Sequence, residues 1–155
     1  MINWELQKGK YVRDPRLGHR FGINFKGHLE ISNSSVKTFQ LSTDRYGFIH
    51  NGENSVRQYP LDKNINEKII IIGRSLAMGL GASSNEFTLA ARFEKLLNKE
   101  SNKKIEVINA ACSGYCLWHL VIKLSMELIR LKLTTRTFYS SGIDLLVFDD
   151  YVIEK

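Results

Sequence analysis

Hydrophobic and polar positions change rhythm near residue 66. Before it, short alternating stretches (His28 to Ile31, Val36 to Leu41, Tyr46 to Ile49) lie between turn residues such as Gly22, Gly27, Asn33, Gly47, Asn51 and Gly52. β-Branched and aromatic side chains at period two predict small antiparallel strands or extended ribbon there. After it, Lys68 to Ile72 is a wholly apolar, β-branched run of the kind that suits a parallel strand covered on both faces. Ser83 and Glu86 have the spacing of a capping box, and a helix is expected from there to about Asn98, with Leu89, Phe93, Leu96 and Leu97 on one face. A second strand is expected at Ile105 to Asn109. A second helix is expected at Leu117 to Leu133, apolar on both sides, and a third strand at Ile143 to Phe148.

Strands alternating with helices predict an open parallel sheet with right-handed crossovers. The expected organisation is therefore a β-rich extension over residues 1–66, packed on an α/β domain over residues 67–155. Ligands of such sheets sit beyond the carboxyl ends of the strands, which directs attention to Gly73–Gly81, Ala110–Gly114 and Phe148–Tyr151.

Composition narrows the class without changing this picture. The 155 residues are 43% hydrophobic and 25% charged, which is ordinary globular usage. The apolar run Ile69 to Ile72 is far short of the ~18–20 residues that span a bilayer, so no membrane span is expected. The first residues lack the apolar stretch of a signal peptide, and two cysteines make no disulfide framework, so a cytoplasmic, reducing location is expected. The net charge of +6 is spread along the chain, with 10 basic and 6 acidic residues in 1–66 and 12 and 10 in 67–155. Trp4, Trp118 and the tyrosines are not set among lysines, so no nucleic-acid platform is expected.

Chemistry centres on Ser75, three residues past the first apolar strand and between Gly73 and Gly79, where a turn can expose its hydroxyl. The loop matches neither the dinucleotide fingerprint nor the P-loop, so no nucleotide cofactor is expected. Cys112 and Cys116 are expected as buried thiols. Asp149 and Asp150 are neighbours on opposite faces of a strand, so no metal site is expected.

The segment Lys68 to Gly79, with Gly73, Arg74, Ser75 and Gly79, resembles the first block of the SGNH, or GDSL-type, hydrolases, G-D-S-x-x-x-G. Asn109 to Gly114 resembles their second block, N-x-x-x-x-G, one helix further on. Asp14, Pro15, Leu17 and Gly18, and the stretch Thr43 to Phe48, resemble segments that precede the catalytic domain in some members. The resemblance implies a three-layer, flavodoxin-like parallel sheet, incomplete at about three strands, and hydrolysis of a small ester or acylated substrate. It implies Ser75 as nucleophile and oxyanion donor, with Gly114 N–H as a second donor.

This sequence departs from the family pattern at three places. Arg74 stands where the family has Asp, and is expected to favour an anionic ligand. Val152 stands where the third block has its oxyanion-binding Asn, and no D-x-x-H occurs. His119 is expected as a helix-surface or core residue and not as a base. His19, His28 and His50 fall in the extension. Two readings stay open: a weakly active or inactive esterase preserved in its N-terminal part, and a non-catalytic α/β binding module or pseudoenzyme remnant. With no fourth strand, Ile143 to Phe148 is expected as an exposed edge that favours self-association.

Overall fold

The computed structural model describes residues 10–30, 38–52, 67–128, 137–140 and 145–148. Expectations resting on the other residues, including Asp149, Asp150 and Val152, lie outside the described residues.

The chain opens with a hairpin, β1 (Tyr11–Asp14) and β2 (Gly18–Phe21), in antiparallel register Tyr11 to Phe21. Its turn is closed by Asp14, whose Oδ1 accepts from Arg16 N at 2.9 Å and Leu17 N at 3.0 Å. A second hairpin pairs β3 (Lys26–Glu30) with β4 (Thr38–Ser42). Tyr46 to Ile49, expected as a strand, is instead a turn. Asp44 Oδ1 accepts from Tyr46 N at 2.8 Å and Phe48 N at 3.0 Å, and Ile49 makes isolated bridges to Thr43 and Asn109. The side chain of Asp44 offers the backbone a closure that a strand cannot match.

The main sheet has the order β6-β5-β7-β8. β5 (Glu67–Gly73) pairs in parallel with β6 (Ile105–Asn109), Ile69 opposite Val107, and on its other side with β7 (Thr137–Ser140), Ile71 opposite Phe138. β8 (Leu145–Phe148) returns antiparallel to β7. This corrects the sequence reading at one strand. The parallel neighbour of β5 is Thr137–Ser140, and Leu145–Phe148 is its hairpin partner at the edge. The chain is thus mixed α/β, with small antiparallel sheets beside a mostly parallel one.

α1 (Ser75–Met78) lies against β5 and β7, and α2 (Leu89–Glu100) against β6. α2 starts later than the capping-box spacing predicts. Asn85–Phe87 form a 3₁₀ turn capped by Ser84 without a side-chain bond, and the cap of α2 is Thr88, whose Oγ1 accepts from Ala91 N at 3.3 Å. Its inward face differs in part: Phe93 and Leu97 pack against the core as expected. Leu89 and Leu96 are 53% and 55% exposed, while Ala90, Ala91 and Glu94 are buried. Two alanines let the helix sit close to β6, and Glu94 Oε2 accepts from Val107 N at 2.8 Å and Asn51 Nδ2 at 3.0 Å.

α3 (Leu117–Lys123) passes into a π-helical turn (Leu124–Leu128) where an unbroken α-helix was expected. Ser125 Oγ donates to Val121 O at 2.8 Å and Ile122 O at 3.2 Å, a back-bond that competes with the regular ladder. Among the described residues, one side of α3 is buried and the other exposed. Leu120, Lys123 and Leu128 are buried, whereas Leu117, Trp118 and Val121 are 62%, 68% and 49% exposed.

One core joins the extension to the α/β part: Leu17, Phe21, Leu41 and Ile49 cluster with Ile70, Val107, Ile108, Met78, Tyr115, Leu120 and Leu128. A fully buried side chain of this size stabilises by about 1.5–3 kcal/mol.

Candidate functional site

At the carboxyl end of β5 the chain turns at once into a single helical turn. Arg74 is extended (φ −96°, ψ −158°), Ser75 is the first helical residue, and Gly79 closes the turn in the left-handed region at φ +97°. Met78 N donates to Arg74 O at 2.9 Å, Gly79 N to Leu76 O at 3.0 Å and Leu80 N to Ser75 O at 2.9 Å. Ala77 and Met78 face the core, which leaves Ser75 half-buried and Arg74 and Leu76 exposed. Among the described residues, the Ser75 hydroxyl has no hydrogen-bond partner and Arg74 no ion pair.

The loop after β6 is drawn to this turn by hydrogen bonds. Ala110 N donates to Ile71 O at 2.8 Å, and Cys112 N donates to Gly73 O at 3.1 Å. Buried Asn109 ties the two blocks together. Its Nδ2 donates to Met78 O at 3.3 Å, and its Oδ1 accepts from Ala111 N at 3.3 Å. Gly114 follows, exposed and left-handed at φ +81°. The Ser75 and Gly114 N–H groups have no hydrogen-bond partner among the described residues. The structure thus brings the Ser75 turn and the Gly114 loop to neighbouring strand ends.

His19, which the sequence consigned to the extension, lies beside this loop. Its Nε2–H donates to Ser113 O at 2.8 Å, and Tyr115 OH donates to His19 O at 2.8 Å, so one residue holds both flanks of Gly114. A carbonyl can only accept, which places the imidazole proton on Nε2. Tyr11 meets the His19 ring edge-on and stacks on Phe21. His19 is buried, and its contacts make it a brace. No sequence signal marks this role, because its partner lies 94 residues away.

His119 sits on α3, where its ring is engaged by Cys116 and Tyr115. Its Nδ1 accepts from Cys116 N at 3.1 Å and lies 2.9 Å from Cys116 Sγ, and its ring stacks on Tyr115 at 5.2 Å. The expectation of two buried thiols holds for Cys112 and fails for Cys116, which is exposed. Burial pushes the Cys112 thiol up to about 12, with the Lys123 ammonium pulling it partly back. Burial likewise raises the Tyr115 and Tyr11 phenols, and a charge on Cys112 would add to both shifts. Lys123 is buried beneath the loop, its Nζ 3.4 Å from Glu127 Oε2 and 5.4 Å and 5.7 Å from the Phe48 and Tyr115 rings.

Concavities of about 470 and 430 Å³ lie along α2 and beside Asn85; neither is lined by Ser75, Arg74 or Gly114. Among the described residues, no group of three or more His, Cys, Asp or Glu side chains could hold a metal ion, and no helix is long and apolar enough to cross a membrane. Comparison with protein-family models and with curated proteins finds no match to this chain.

Proposed function

We propose that this chain is an SGNH-type serine acyl-ester hydrolase with weak turnover, in which the β6-β5-β7 strands belong to a three-layer, flavodoxin-like sheet. One observation carries the reading. The Cys112 N–H to Gly73 O bond sets the left-handed Gly114 loop beside the strand-to-helix turn that presents Ser75. In this reading Ser75 Oγ attacks an ester carbonyl, and the N–H groups of Ser75 and Gly114 face the oxygen on which negative charge builds. The alcohol leaves, and water then cleaves the acyl-enzyme. Arg74, exposed beside the nucleophile, favours an ester that carries an anionic group.

Turnover is weak for two reasons. Ser75 Oγ has no hydrogen-bonded base among the described residues, and a serine hydroxyl is a poor nucleophile without one. Val152 offers no side-chain donor at the position of the family's Asn, and one missing oxyanion donor costs about 3–4 kcal/mol of transition-state stabilisation. A second reading, a non-catalytic binding module, draws on the exposed Leu117, Trp118 and Val121 and on the commitment of His119 to Cys116.

A fluorophosphonate probe followed by peptide mapping separates the two. The hydrolase reading expects a slow adduct confined to Ser75, absent from Ser75→Ala, with little turnover of an activated ester. An unlabelled Ser75, or labelling scattered over many serines, overturns it in favour of the binding module. Fast Ser75-dependent turnover overturns the argument for weakness.

A further inference from the structure

The chain has two cysteines, and the fold treats them oppositely. Cys112 is 1% exposed, and burial holds its thiol protonated, up to about 12. Cys116 is exposed and stands at the start of α3 with its Sγ 2.9 Å from His119 Nδ1. The same nitrogen accepts the Cys116 backbone N–H at 3.1 Å, so in the neutral ring Nδ1 is the unprotonated atom, and it is the ring atom beside the thiol. The imidazole is not free to turn. It stacks on Tyr115 with ring planes 12° apart, and Tyr115 is itself fully buried and anchored through its hydroxyl to His19 O. An accessible thiol held against an oriented imidazole nitrogen is the arrangement that activates cysteine as a nucleophile.

We propose that Cys116 and His119 form a thiol–imidazole pair that exchanges with small-molecule disulfides, making Cys116 a site of reversible S-thiolation. The Cys116 proton passes to His119 Nδ1 as the sulfur attacks one sulfur of the disulfide. A new S–S bond forms while the old one breaks, and the departing thiolate takes up the proton. Cys116 is oxidised, and the small disulfide is reduced to one thiol and one bound half. Cys112 is too buried to act as a resolving thiol, so the mixed disulfide is the end product until an external thiol reverses it. The adduct would stand two residues from Gly114, on the rim of the loop described above. The proposal does not depend on hydrolase activity.

The test incubates the full chain with excess glutathione disulfide near neutral pH and follows intact mass and peptide maps over time. One adduct per chain is expected, on Cys116, removed by dithiothreitol and absent from Cys116→Ser. The deciding variant is His119→Gln, because glutamine can still accept the Cys116 N–H as a helix cap but cannot take the thiol proton. Its Cys116 rate should fall by about tenfold or more with the melting temperature little changed. If a variant unfolds, Cys112 becomes modified too and reports it. The comparison is then made within the wild-type protein, where native Cys116 should react faster than Cys116 in the urea-unfolded chain. Equal rates in wild type and a folded His119→Gln, a native rate no faster than the unfolded one, or equal modification of Cys112 and Cys116 in the folded protein overturns the proposal.

Discussion

Asp14 shows how one carboxylate can hold a turn and set a pH limit. Burial alone would raise its pKa, but the N–H groups of Arg16 and Leu17, with the Arg16 and Arg20 guanidinium groups nearby, outweigh burial and hold it below the usual aspartate range. A depressed native pKa means that the unfolded chain binds the proton more tightly. The stability from Asp14 is therefore complete above about pH 4, the ordinary aspartate value, and drains away as pH falls through the lower native value. Asp14→Asn should melt below wild type near neutral pH, with the gap closing below about pH 4. Melting curves from pH 2 to 7 would decide it: a gap of constant size across that range contradicts the assignment. Glu94 is the opposite case for legibility. Helical spacing gives the inward face of α2 to Leu89, Phe93, Leu96 and Leu97, of which Phe93 and Leu97 do pack against the core, and nothing in the local pattern marks a glutamate as the buried residue. It goes inward because Val107 N–H and Asn51 Nδ2 need an acceptor, and both lie far away in sequence. The positions of Ser75 and Gly114 just past β5 and β6 were legible because glycine punctuation right after apolar strands is a local signal. His19 was not, because only the folded chain brings it to Ser113.

Among the elements, the strand-to-helix turn at Ser75 depends on its last residue. Gly79 is left-handed at φ +97°, and a Cβ placed there would lie 2.5 Å from Thr88 Cγ2 and 2.9 Å from Thr88 Cβ. Thr88 is buried and caps α2, so it has little room to retreat. Gly79→Ala should cost about 1–3 kcal/mol in urea unfolding, from the backbone conformation and the contact together. A loss under about 0.5 kcal/mol would show that Thr88 moves freely. β5 and β6 were readable from their continuous apolar residues. β7 was not, because Thr137, Phe138, Tyr139 and Ser140 form no apolar run and the run at Leu145 to Phe148 drew the third parallel strand to itself. The later start of α2 has a similar cause. Ser83 and Glu86 satisfy the spacing rule, but buried Asn85 is used elsewhere: its Nδ2 donates to Ser42 O and His50 O, its Oδ1 accepts from Ser42 N, and the chain there becomes a 3₁₀ turn.

For the whole molecule, two features set behaviour: an outer strand and a set of long-range ties. β8 ends the four-strand order, with one side not paired among the described residues. We propose that copies of the chain associate along this edge. Sedimentation over a concentration series should show self-association that weakens in Val147→Lys, since a lysine on an edge strand discourages pairing. A wild-type monomer at high concentration would rule the edge out. The ties run from the extension to β6 and its loop: Ile49 N to Asn109 O at 3.0 Å, Asn51 Nδ2 to Val107 O at 2.6 Å, and the His19 bonds to Ser113 and Tyr115.

Those ties have a consequence for synthesis on the ribosome. The side chains of Leu17, Phe21, Leu41 and Ile49 are made first, yet the surfaces that cover them, Val107, Ile108 and Tyr115, are made roughly 60 or more residues after Ile49. At roughly 5–20 residues per second, the early segment waits several seconds with its apolar side open to water and to chaperones. A nascent chain halted before Tyr115 clears the exit tunnel should therefore remain open to proteases along residues 10–30 and 38–52. Protection should come late and all at once, when the loop carrying Gly114 closes onto His19.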